Sequence, residues 1–142
     1  MANSSNRSEY PKKSLGQHFL VNKGVLRKIV DAANIHSTDT ILEIGPGTGL
    51  LTKLILDKCE NVILIELDLD LVNELKEKFR AYSNLRIIHA DARTWIPDLG
   101  SRTYKVLGNL PYYAANPIVR NFLESRTPPS HMYLTLQKEV AD

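Results

Sequence analysis

The sequence predicts an α/β fold, a mostly parallel sheet with helices on both faces. Three observations lead there. Apolar segments of strand length alternate with segments of helical period along the chain. The strand segments are apolar throughout and each is followed by a helix, as in a parallel sheet covered on both faces. Their ends carry glycine, acidic and amide residues, and parallel sheets bind ligands at the carboxyl ends of their strands.

Taken in order, residues 1–13 (MANSSNRSEYPKK) read as a flexible basic arm, and residues 14–142 as one domain. Val25, Leu26, Ile29, Val30 and Ala33 form one apolar face of a helix over about 22–34. Thr40–Ile44 is a short apolar strand running into a glycine cluster. Leu50–Lys58 follows as a helix, with Leu50, Leu51, Leu54 and Ile55 inward. Val62–Glu66 is the next strand, apolar until its last residue. Leu71, Val72, Leu75 and Phe79 mark a third helix with charges on its outer face. Leu85–His89 is a strand, and Val106–Gly108 ends another. A helix over Pro117–Leu123 starts with proline in its first turn. Pro128-Pro129 then breaks the chain before a last strand, His131–Leu136.

A chain of 142 residues, 43% hydrophobic, supports one domain with a real core and is too short for two full ones. Its single cysteine, Cys59, excludes a disulfide framework and a cysteine-based zinc site. The polar N-terminus lacks the apolar stretch of a secretory signal, and runs such as Val62–Ile65 are too short to span a bilayer. The expectation is a soluble, cytoplasmic, monomeric protein. Charge is unevenly spread. Residues 1–30 hold six bases and one acid, +5, and the remainder twelve bases and fifteen acids, −3. Such an arm reads either as a phosphate-contacting segment or as a solvated terminus. Lys12, Lys13, Lys23 and Arg27 are the candidate phosphate contacts.

Four strand ends then point at one ligand. After the first comes Glu43-Ile44-Gly45-Pro46-Gly47-Thr48-Gly49, whose glycines let backbone approach a ligand and turn into a helix N-terminus. The second ends in Glu66-Leu67-Asp68. Glu66 lies twenty-one residues after Gly45, a distance at which an acid accepts from both ribose hydroxyls of an adenosine-containing ligand. Asp68 reads as a helix N-cap. The third ends in His89-Ala90-Asp91-Ala92. Alone, Asp91 reads as a turn-former. Beside the other ends, it is a candidate acceptor for the amine of a bound adenine, with the alanines leaving space for the ring.

The glycine spacing separates two cofactors. A dinucleotide fingerprint reads G-x-G-x-x-G, and here the third glycine comes one residue early. A carboxylate at Glu43 also suits an amino group and a sulfonium better than a diphosphate. Both features favour S-adenosylmethionine over NAD, and with it a Rossmann-like class I methyltransferase fold.

The fourth end, Gly108-Asn109-Leu110-Pro111-Tyr112-Tyr113, is the most specific stretch. The amino group of adenine is a poor nucleophile because its lone pair is delocalised into the ring. The Asn109 amide oxygen and the Leu110 carbonyl, both accepting from that amine, favour the pyramidal form, provided Pro111 holds the turn. Tyr112 offers a face on which an extruded base can stack. No strong base is needed, because the proton becomes acidic only once the nitrogen carries the methyl group.

These residues bring the chain to a family. It resembles the ribosomal RNA adenine dimethyltransferases, specifically the small-subunit dimethyladenosine transferase type. The matching stretches are Ser14–Leu20, Glu43–Gly49, Val62–Asp68, Asp91-Ala92, Gly108–Tyr113 and Gln137–Ala141. The resemblance implies that His18 and Leu20 close over the cofactor, with His18 departing from the asparagine of many relatives. Gly45, Glu66, Asp91 and Asn109 are implied in the cofactor site, Asn109 also reaching the target amine. The activity implied is transfer of two methyl groups to each of two adjacent adenines in a hairpin loop near the end of small-subunit rRNA. Family members continue into the end of the sheet and a small helical RNA-holding domain, so the resemblance implies an N-terminal fragment, truncated at the C-terminus.

Two other readings compete. One is a resistance-type methylase of a single large-subunit adenine, which Glu43–Gly47, Asn109–Tyr112 and Gln137–Ala141 match less well. The other is a non-catalytic RNA-binding assembly factor, which the intact Asn109–Tyr112 argues against. His36 and His131 read as structural, Cys59 as a packed thiol, and Trp95 as a packing residue before an RNA-stacking one.

Overall fold

The computed structural model describes residues 22–137. Its elements are α1 (Lys23–Ala33), β1 (Thr40–Ile44), α2 (Leu50–Leu56), β2 (Asn61–Glu66), α3 (Leu69–Lys78), β3 (Leu85–His89), β4 (Lys105–Pro111), α4 (Tyr112–Leu123) and β5 (His131–Gln137). The five strands form one sheet in the order β3-β2-β1-β4-β5, and every pairing is parallel. Local chemistry accounts for the helix ends. The Asn22 side chain accepts from the backbone N–H of Gly24 and Val25, and Asn34 closes α1 in the left-handed region at φ 46°. Asp68 caps α3 by accepting from Asp70 and Leu71.

Alternation along the buried strands divides the core in two. On one face Leu26, Ile29, Val30 and Ala33 of α1 join Leu51 and Ile55 of α2, Leu75 of α3, and Ile41, Val62, Leu64 and Leu107 of the sheet. On the other, Leu42, Ile44, Ile63, Ile65 and Val106 pack under Ala115, Ile118 and Phe122 of α4.

Three expectations need correction. The fourth helix starts at Tyr112, with Pro117 inside it. It can begin there because Pro111, at φ −61° and ψ 143°, ends β4 directly at the N-cap. The helix bond that Pro117 forfeits, to the Tyr113 carbonyl, lies on the exposed side where water can replace it. Next, β4 extends beyond Gly108 to Pro111, because β5 pairs with it as far as Gln137. Finally, not every strand is followed by a helix. Between β3 and β4 an irregular segment covers the second face, with Ala92 and Tyr104 buried and Trp95 tilted against Phe122 at 6.1 Å. Asn121 of α4 fastens it by donating to the Ala92 and Trp95 carbonyls at 2.9 and 2.7 Å.

Candidate functional site

Register brings the strand ends to one edge. Ile44 sits opposite Ile65 and Gly108, and Glu66 opposite His89. Ala90-Asp91, Glu66, Gly45 and Asn109 therefore follow one another along the carboxyl end of the sheet. The chain runs outward from β1 in both directions, to β2 and β3 on one side and to β4 and β5 on the other. That reversal opens the crevice in which parallel sheets hold ligands. By alternation Glu43, Glu66 and Asn109 share the face that carries α1, α2 and α3.

The glycine loop has two functions. Gly45, at φ 65°, donates its N–H to the Ile65 carbonyl at 3.0 Å and so ties the loop to β2. Gly47, at φ 59°, donates to Glu66 Oε1 at 3.3 Å, and a Cβ there would meet nothing within 4 Å. Among the described residues nothing occupies the space that a side chain at Gly47 would take, although Gly47 itself is buried. At Gly49 the reason is packing, since a Cβ would lie 2.7 Å from the Phe79 ring below α3.

Glu66 is only 6% exposed, and each of its oxygens is already anchored, Oε1 by Gly47 N–H and Oε2 by Asp68 N–H at 2.9 Å. Burial pushes its pKa up, while those two donors pull the other way. Glu43 behaves differently from its sequence reading. It is 2% exposed inside β1, and Thr52 Oγ1 of α2 donates to its Oε1 at 2.6 Å. Burial raises its pKa to about 8, with the neighbouring Glu66 adding to the rise. Glu43 is therefore sealed within the chain, and its burial favours the protonated form.

Asp91 stands at the expected strand end, but its carboxylate is taken up by Arg93. Oδ1 accepts from Arg93 N and Nε at 2.9 and 3.0 Å, and Oδ2 from Nη2 at 2.8 Å. The Arg93 bond holds its pKa below the usual carboxylate value. Ala92 is buried in the second core and Ala90 packs against it, half-buried.

In the fourth stretch Leu110 turns its side chain inward, 2% exposed, which leaves its backbone as the part that can serve the edge. Tyr112 and Tyr113 stand in solvent, 65% and 58% exposed. Asn109 is half-buried, and Thr135 Oγ1 donates to its Oδ1 at 2.7 Å. Sequence reasoning missed Thr135, as it missed Arg93 and Thr52. A threonine within a strand carries no signal of its own, and the bond exists only because Asn109 and Thr135 are register partners.

His18, Leu20, Lys12 and Lys13 lie outside the described residues, while Lys23 and Arg27 sit on the exposed face of α1. Cys59 is a buried thiol directed at the Asn61 carbonyl, and His131 stacks on Tyr133 at 5.8 Å. No helix among the described residues is long and apolar enough to cross a membrane.

Comparison with known proteins agrees with this geometry. The family model described as ribosomal RNA adenine dimethylase matches residues 9–142. A ribosomal RNA small subunit methyltransferase A from Dehalococcoides mccartyi is 46% identical over 133 residues, covering 92% of this chain and 46% of the relative. The chain thus spans about half the length of the curated relatives it matches. A dimethyladenosine transferase from Plasmodium falciparum superposes with a TM-score of 0.71 at 34% identity, over 84% of this chain and 43% of that one. The 23S rRNA methyltransferase ErmE superposes with a TM-score of 0.70 at 30% identity, over 81% and 47%. With the family model covering nearly all of the sequence, and the strand-end residues assembled on one edge, the chain belongs to the ribosomal RNA adenine dimethylase family.

Proposed function

We propose that this chain is the cofactor- and adenine-binding part of an enzyme acting on small-subunit (16S) rRNA. It transfers methyl groups from S-adenosylmethionine to N6 of two adjacent adenines in a hairpin loop, giving N6,N6-dimethyladenosine in ribosome biogenesis. One observation carries the reading. The Asn109 amide stands half-buried at the end of β4, beside the solvent-exposed Tyr112 and on the same edge and face as Glu66. The higher identity to the small-subunit relative than to ErmE supports that substrate over the large-subunit alternative.

The residues present fit the cofactor. A carboxylate oxygen has room for two donors, so Glu66 keeps one position on each oxygen for the ribose hydroxyls. The space beside Gly47 admits a ligand, Gly45 borders it, and Leu67, 59% exposed, offers apolar surface for a base. Asp91 contributes only by sharing its carboxylate with Arg93. The glycine spacing still favours this ligand over NAD, whereas Glu43, 2% exposed and bonded to Thr52, carries no weight in the choice. His18 and Leu20 are proposed to close over it.

The bound cofactor supplies an electrophilic methyl group on a sulfonium. The chain supplies the rest. Tyr112 stacks on the extruded adenine, and Pro111 fixes the turn that carries Leu110. Asn109 Oδ1 and the Leu110 carbonyl accept from the amine, turn its lone pair outward and hold it in line. The proton leaves to solvent after the new N–C bond has formed. Exposed Lys23 and Arg27, with Lys12 and Lys13, contact RNA phosphates. A monomer in the cytoplasm, with small-subunit rRNA or the assembling subunit as partner, belongs to the same reading.

The test is Asn109→Ala in the full-length protein, assayed on small-subunit rRNA lacking the modification. Methyl transfer is expected to fall at least about 100-fold, with cofactor affinity changed by less than about fivefold, as for loss of a group that acts mainly in the transition state. Activity equal to the parent removes Asn109 from the mechanism. Methylation of large-subunit rRNA instead selects the alternative substrate.

A further inference from the structure

We infer that Thr135 is a positioning residue that sets the Asn109 amide for the target amine; the inference rests on the function proposed above. Thr135 lies on β5, outside the Gly108–Tyr113 stretch, and is the direct register partner of Asn109 across the parallel β4–β5 pair. Its hydroxyl donates to Asn109 Oδ1 at 2.7 Å, the usual length for an O–H···O bond, and both side chains are half-buried.

The chemistry of the amide gives this bond its consequence. The terminal torsion of asparagine is broad and two-fold, so nothing intrinsic keeps oxygen rather than NH2 toward a neighbour. An amide turned the wrong way would set donors against the donors of adenine N6. Threonine is stiff at χ1 because it is β-branched, and β5 holds its backbone, so its hydroxyl oxygen is a fixed point. By donating to Oδ1 it favours the amide oxygen on this side. It occupies one of the two lone-pair positions of Oδ1 and leaves the other for a single N–H of the target. The partner carbonyl at Leu110 is held by a side chain packed in the core. Both acceptors are then set before the base arrives.

The second methyl transfer depends on this more than the first. Adenine brings two N–H groups to the two acceptors, and the monomethylated base brings one. A loosened amide therefore costs proportionally more alignment in the second step, and the monomethyl product accumulates.

Thr135→Val keeps shape and removes the hydroxyl, and Thr135→Ser keeps the hydroxyl. In the full-length protein Thr135→Val is expected to lower kcat about 5–10-fold, the span of one net hydrogen bond. KM for cofactor and RNA should stay within about twofold, and the ratio of monomethyl to dimethyl product should rise. Thr135→Ser should lie within about twofold of the parent on all counts. In 15N-labelled protein the side-chain NH2 resonances of Asn109 should shift or broaden in the valine variant only. Parent-like kcat, product ratio and resonances in Thr135→Val overturn the inference, as does a serine variant as impaired as the valine. An active Asn109→Ala would instead defeat the proposed function, and the Asn109 resonances would still decide whether Thr135 holds the amide.

Discussion

On the β1–β2–β3 side of the sheet the strand-end carboxylates are already bonded within the chain, whereas the β4 side leaves its aromatic groups in water. Glu43 is held by Thr52, Glu66 by Gly47 and Asp68, and Asp91 by Arg93. Across the switch point Asn109 Oδ1 accepts from Thr135, and Tyr112 and Tyr113 are more than half exposed. The first side is built beforehand, so a ligand there meets groups that need little reordering. The second is completed by whatever stacks on it. Substitutions on the two sides should accordingly register in different quantities, stability on the first and substrate handling on the second.

The largest expected effect is at Glu43. The native state holds its proton up to about pH 8, while the unfolded chain releases it near 4.5. Between those values the native state binds more protons, so this group makes stability fall as pH rises. Glu43→Gln reproduces the neutral form and can still accept from Thr52. It should raise stability at pH 8 by on the order of 4 kcal/mol and flatten the profile from pH 5 to 8. Denaturant titrations at several pH values check this, and parallel profiles for parent and variant would mean that Glu43 ionises without penalty.

A smaller effect, of opposite kind, is expected at Tyr112. Tyr112→Ala removes exposed surface, so stability should change by less than about 0.5 kcal/mol. RNA-dependent kcat/KM should fall about tenfold, in the range of one lost base-stacking contact. A variant that is destabilised yet fully active would reverse the roles given to the two sides.

Much of this was legible beforehand, for identifiable reasons. The limits of β1 and β3, the Asp68 cap and the inward faces of α1 and α3 follow from local periodicity and capping chemistry. Glu66 stood out because a lone acid ends an apolar strand. What stayed hidden depends on partners distant in sequence or on packing. The Thr135 bond to Asn109 spans 26 residues and exists only through strand register. Glu43 looked like a ligand-facing charge because its burial under α2 is a tertiary fact. Asp91 looked free because a turn residue does not announce that Arg93 folds back on it. The start of α4 was misjudged because proline is commonest in a first helical turn, and here an exposed second turn tolerates it.

The carboxyl edge of this sheet, with Glu66 at the end of β2, is proposed as the site for S-adenosylmethionine. The most direct test is calorimetric titration of the full-length protein and of its Glu66→Ala variant, with NAD as comparator. Saturable binding of S-adenosylmethionine alone, weakened about 10–100-fold in the variant as two hydroxyl acceptors are lost, is the predicted result. Equal binding by parent and variant, or binding of NAD in its place, would contradict the claim.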